Sequence, residues 1–131
     1  MPQYPYSPVN NNLGALATLT AASTGGNSVD QNNAQCRGVV VGVNITAITG
    51  TSPTLTVTVQ GKDTVSGEYY TLLTSAALTA VGFTELMVYP GVSATANVAA
   101  SSPLPQTWRV SYAVGGTTPA VTATVGACVL V

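Results

Sequence analysis

The phrases GTSPTLTVTV at residues 50–59 and GTTPAVTATV at residues 116–125 are near copies of one another. Each opens with glycine and threonine, reaches a proline, and continues with apolar side chains at every second position. Glycine supplies dihedrals that other residues avoid, and proline fixes φ while removing a ladder donor. The pattern therefore predicts a turn that feeds a strand. Leu55, Val57 and Val59 fall on one side of the first such strand, with Thr54, Thr56 and Thr58 on the other. Val121, Ala123 and Val125 repeat the arrangement in the second. Side chains alternate across a strand, so each copy has an apolar face and a hydroxyl face. The duplication predicts two strand-entry turns at corresponding places in two packed sheets.

The same period of two extends outward. Val39, Val41, Val43, Ile45 and Ala47 share one parity, as do Trp108, Val110, Tyr112 and Val114. Val121 to Val131 continue on one face of the last segment. Residues 61–67 (GKDTVSG) predict a hairpin turn, and Pro90-Gly91 and residues 101–105 (SSPLP) punctuate the second half. The best candidate for a turn of helix is LLTSAALTAV at residues 72–81. Turn signals about every 8–12 residues predict an all-β chain, an antiparallel β-sandwich or jelly-roll-like barrel of about seven to eight strands. Ahead of it, residues 1–12 hold Pro2, Pro5 and Pro8, a run of asparagines, and the apolar Tyr4, Tyr6 and Val9. They read as an extended arm, either laid on a partner or frayed, and residues 13–131 as a single domain.

Composition narrows the function. Of 131 residues 46% are hydrophobic and only 5% charged, against about 25% charged in ordinary domains. The cations are Arg37, Lys62 and Arg109. Scattered as they are, they form neither the basic stripe that binds nucleic acid nor the basic face of a membrane-surface helix. A net charge of −1 gives little self-repulsion, which fits either a surface covered by other protein or a secreted β-domain kept soluble by its hydroxyls.

Histidine is absent, which removes Ser-His and Cys-His nucleophile pairs. Asp63 and Glu68 flank one hairpin, where a solvated loop pair is far commoner than a glycosidase pair. Asp30 with Asn32 and Asn33 is a thin set of calcium ligands. Cys36 and Cys128 read as two buried thiols, and nothing in their spacing makes a zinc site. Trp108 and Tyr112 share a strand face, as a sugar platform or, more commonly, as core aromatics. The expectation is a protein without catalytic residues, cofactor or metal. No targeting signal precedes Arg37, so synthesis and retention in the cytoplasm of the producing cell are expected.

Three segments carry a resemblance: GTSPTLTVTVQGKDTVSGEYYTLL, ELMVYPGVSATAN and LPQTWRVSYAVGGTTPAVTATVGACVLV. Together they resemble small structural proteins of tailed bacteriophages, the capsid decoration (minor capsid or cement) proteins. The likeness spans residues 36–131 and rests on the Pro-led strand with its polar hairpin, the YPGV turn, and the TWRV strand leading into GGTTP. It departs from the usual pattern in the hairpin, where Gly67 is displaced from Asp63 and Tyr69 and Tyr70 stand in the aromatic position. The resemblance implies an all-β domain, a homotrimer on the outside of an icosahedral shell that clamps major capsid protein subunits without a cofactor. Similar phrases occur in tail-associated phage proteins, so the alternative is a tail or fibre domain for host-surface attachment. The expected location is the virion exterior, after synthesis in the host cytoplasm. The expected interface comprises Tyr4, Tyr6, Val9, Tyr89, Val129 and Val131.

Overall fold

The structure is a computed structural model and describes residues 15–131. It is all-β: β1 (Ala17–Ala22), β2 (Gly26–Asn27), β3 (Gln31–Asn32), β4 (Gly38–Lys62), β5 (Tyr69–Thr74), β6 (Gly82–Val88), β7 (Ala99–Ala100) and β8 (Thr107–Leu130). The eight strands form one open mixed sheet in the order β1-β8-β4-β6-β7, with β5 also on β4 and β2 and β3 also on β8. Pairing is antiparallel except between β6 and β7. The stretch 72–81 is not helical. Its first residues complete β5, and beyond them Leu78 bridges Leu55 through reciprocal amide–carbonyl bonds.

The two repeated phrases do not start strands in separate sheets. They face each other in one ladder, at the middle of β4 and β8. These strands pair from Gly38 opposite Leu130 to Gly61 opposite Trp108, and Thr51 lies opposite Thr117. The reason is local. Gly50 and Gly116 have φ of 124° and 108°, and Ser52 and Thr118 have φ of 49° and 45°. Each copy is thus a bulge that breaks register and then resumes pairing, instead of a turn that reverses the chain. The packing is reciprocal. A Cβ on Gly50 would stand 2.8 Å from the Thr118 carbonyl oxygen and 2.9 Å from Pro119 Cα. One on Gly116 would stand 2.6 Å from the Ser52 carbonyl oxygen and 2.9 Å from Pro53 Cα.

This crease continues into β1, where Ala21 has φ 46° and its amide donates to Thr122 Oγ1 at 3.1 Å. On one side of it, residues 38–49 of β4 pair with 120–130 of β8, flanked by β1 and β6. On the other, residues 54–61 pair with 108–115, flanked by β5, β2 and β3. Val39, Val41, Val43, Ile45, Val121 and Val125 from the first half are buried in the same hydrophobic cluster as Leu55, Val57, Val59, Trp108 and Val110 from the second. Ala47 departs from the expected parity. The register shifts between Ile45 and Ala47, which exposes Ala47 and half-buries Ile48. An extra residue in one strand exchanges its faces.

Three buried polar side chains satisfy backbone groups where the ladder is interrupted. The Ser28 hydroxyl accepts from the Val110 amide and the Ser75 hydroxyl from the Val57 amide, both at 3.0 Å. Asn33 joins the segments that lead into the two long strands. Its Oδ1 accepts from the Cys36 amide at 2.9 Å, and its Nδ2 donates to the carbonyls of Cys36 at 2.7 Å and Leu104 at 3.1 Å.

Gly50→Ala and Gly116→Ala are each expected to destabilise by about 3 kcal/mol, from disfavoured dihedrals plus backbone overlap. Gly126→Ala, with nothing within 4 Å of the added carbon, is expected to stay within about 0.5 kcal/mol. Urea denaturation midpoints of the three variants test this; equal losses would refute the packed-crease account. Asn33→Ala leaves the buried Leu104 carbonyl and the part-buried Cys36 amide and carbonyl without this partner, and is expected to cost about 2–4 kcal/mol in the same assay.

Candidate functional site

The charged side chains are few, and the fold gathers three of them on the second half-sheet. Lys62, at the end of β4, lies 3.0 Å from Asp30 Oδ2. The Tyr69 hydroxyl of β5 donates to Asp30 Oδ1 at 2.6 Å. The Arg109 guanidinium of β8 stacks on the Tyr69 ring, 3.4 Å from its centroid, while its Nε donates to Gln60 Oε1 at 2.8 Å. Ladder register makes this meeting possible, because Lys62 pairs with Tyr69 and Gln60 with Arg109. Hydrogen bonds from Tyr69 and then Lys62 hold the Asp30 carboxyl below the usual carboxylate range. Lys62 is raised above its ordinary value, chiefly by its bond to Asp30. Asp63 is lowered by bonds from the Ser66 hydroxyl and the Val65 amide within its own hairpin turn. These contacts tie one loop, two strand ends and a turn together. They place no nucleophile beside a base.

The first half-sheet presents a different surface. On its outer face Val40, Gly42 and Asn44 of β4, Phe83 of β6, and Gly126 and Cys128 of β8 line a shallow groove of about 370 Å³. Gly42 stands opposite Gly126 in the ladder, so the floor lacks side chains. The Phe83 ring lies over Gly42, where a Cβ would come within 2.7 Å of its Cζ, yet Phe83 remains 67% exposed. The lining residues carry no charge, but the exposed Glu85 of β6 pairs with Gly42 in the ladder and borders the groove floor on this face.

The residues expected to form an interface separate in the structure. Tyr4, Tyr6 and Val9 lie outside the described residues. Tyr89 is half-buried and its hydroxyl donates to the Val131 carbonyl at 2.8 Å, so these two do meet near the chain end. Val131 itself is exposed, whereas Val129 is buried in the core and offers a partner nothing. Trp108 is 2% exposed and is core, which removes it as a sugar platform; its Nε1 has no hydrogen-bond partner among the described residues. Tyr112 is half-buried beside Gly26, against which its hydroxyl packs. Two buried thiols are expected from the sequence; Cys36 is instead only half-buried, packed against the core, and Cys128 is exposed on the groove, which corrects that reading. Among the described residues no group of three or more His, Cys, Asp or Glu is placed to hold a metal ion.

Sequence alternation missed the groove because its residues are on the outward parity, where threonine and glycine look like ordinary surface. The signal available was Gly42 and Gly126 among valines, which means something only once they are opposite each other. No protein-family model and no curated protein matches the chain.

Asp30 titrates lower when folded than when unfolded. The stabilisation from its contacts is therefore present above the unfolded value and is lost as pH falls through the folded one. Lys62 has the opposite sign, contributing below its unfolded value and fading as pH rises through the raised one. Tyr69→Phe removes the main donor to Asp30 and is expected to move the Asp30 titration upward, toward an ordinary carboxylate, while leaving the Arg109 stack. Carboxyl carbon chemical shifts followed against pH measure this, and an unmoved Asp30 would reject the hydroxyl as the leading cause.

Proposed function

We propose that the protein is a structural component of a tailed-bacteriophage virion, a decoration protein that binds the outside of an icosahedral shell and stabilises it. The observation that carries this is how the scarce charge is used. Asp30, Lys62 and Arg109 are committed to one another through Tyr69 and Gln60, and Asp63 to its own turn. Beyond Arg37, Glu68 and Glu85, what remains facing outward is largely hydroxyl, glycine and apolar, a surface suited to being covered by protein. The phage-like phrases at residues 50–73, 85–97 and 104–131 point the same way.

In this role the protein acts by mass action, because a ligand of the assembled shell that ignores its separated subunits favours assembly. Under the pressure of a packaged genome the relevant quantity is the rate of rupture, which bridging contacts slow. The partners are the major capsid protein and further copies of this chain, as a homotrimer. Rotational symmetry repeats one modest interface and multiplies its effect. No cofactor or reaction is required. The alternative, a tail or fibre domain gripping sugars through aromatics, loses Trp108 to the core.

Quantitative mass spectrometry of purified virions is expected to find this chain in numbers comparable to the major shell protein. A handful of copies per particle would reject the shell and favour the tail.

A further inference from the structure

Three basic side chains serve the whole chain, and two of them are occupied. Lys62 pairs with Asp30 at 3.0 Å, and Arg109 is held by Gln60 and the Tyr69 ring. Arg37 is exposed, and among the described residues its side chain makes no ion pair or hydrogen bond. Its backbone, by contrast, is fixed on both sides. The Arg37 amide donates to the Leu130 carbonyl and its carbonyl accepts from the Leu104 amide, each at 2.8 Å. Of the carboxylates, Asp30 and Asp63 are bonded to neighbours, and Glu68 sits at the close of a polar turn. Glu85 is the one that borders the groove. It is exposed, makes no ion pair among the described residues, and stands opposite Gly42 at the floor.

We propose that Arg37 of a second copy of this chain enters the groove, its guanidinium stacked on Phe83 and paired with the Glu85 carboxylate. This rests on the self-association proposed above and is independent of the shell. The pair cannot close within one molecule. Arg37 and Gly42 are five strand positions apart, about 16 Å, farther than an arginine side chain extends. Between molecules the chemistry fits each part of the side chain. An arginine stem lies on apolar surface while its charged head stays at the rim. The floor has room for it, since Gly42 faces Gly126 and a Cβ on Gly126 would meet nothing within 4 Å. The exposed Phe83 ring offers a cation–π partner, and arginine suits it because the guanidinium is planar. The molecule already uses this chemistry once, in the Arg109 stack on Tyr69. The anchored backbone at Arg37 lowers the ordering cost of presenting it. Because Arg37 and the groove are different surfaces, the contact is head-to-tail. Repeated by a closing rotation it makes a ring, the symmetry a homotrimer needs.

The test uses the free full-length chain. Sedimentation equilibrium compares the natural sequence with Arg37→Glu, with Glu85→Arg, and with the exchange that carries both. Each single variant opposes like charges and is expected to associate at least about tenfold more weakly; the exchange should restore association. A second readout needs no charge reversal. Arg37→Cys in a Cys36→Ser background is oxidised after mixing light and heavy isotope-labelled copies. The expected product is a disulfide between position 37 of one copy and Cys128, which lines the groove, of another. Peptide mass spectrometry identifies it. A dominant bond between two Cys128 residues would mean that the faces pack on each other, and would overturn the proposal. An oligomer equally stable in both single variants would overturn this contact and leave the homotrimer standing. A monomer at every concentration would overturn both.

Discussion

The mutual packing of two Gly-Thr-x-Pro bulges at the centre of the β4–β8 ladder governs the rest of the structure. Each glycine lies against the backbone of the other copy, with Gly50 on Thr118 and Pro119 and Gly116 on Ser52 and Pro53. Antiparallel strands have a local two-fold relation, and here the sequence obeys it too. Equivalent residues meet equivalent surroundings, so one backbone solution serves both strands. Non-glycine residues at Ser52 and Thr118 hold left-handed conformations that cost about 1–3 kcal/mol each when unsupported. They persist because both strands are paired on either side.

The crease lets two long strands serve both halves of a small protein. Residues 38–49 and 120–130 supply one part of the core, and residues 54–62 and 107–115 the other, within one hydrophobic cluster. Nearly all the short strands are accessories to that pair. Their breaks are repaired by Ser28, Ser75 and Asn33, whose side chains stand in for missing ladder partners. Such substitutions keep the Val110, Val57 and Cys36 amides bonded where the strands are interrupted.

Low charge has a structural counterpart in this arrangement. The Asp30–Lys62–Tyr69–Arg109 group is a surface fastening across three segments distant in sequence. The opposite half carries a groove whose lining residues are uncharged and whose floor is glycine. A protein with so few charges, four of its seven held by neighbouring side chains, has little long-range selectivity, and its contacts rely on shape and apolar area. That is consistent with a role in a fixed assembly, where partners are held close.

Period-two alternation in the sequence determined the all-β class and most of the core. Val39, Val41, Val43, Leu55, Val57, Val59 and Val110 are buried as their parity requires, because a strand has only two faces. The hairpin at residues 61–67 was legible for a similar reason, since its turn is local: Asp63 and Glu68 close it by a backbone bond. The extended course of residues 72–81 was not legible, because short apolar runs carry no period that separates helix from strand. Tertiary structure alone decided that the two repeated phrases oppose one another in a single sheet, that Ala47 faces out, and that Gly42 and Gly126 share a groove floor. Each of those facts is a matter of register between residues dozens of positions apart. Local preference prescribes how a strand runs, and only the pairing of whole strands fixes which residues come to lie across from one another.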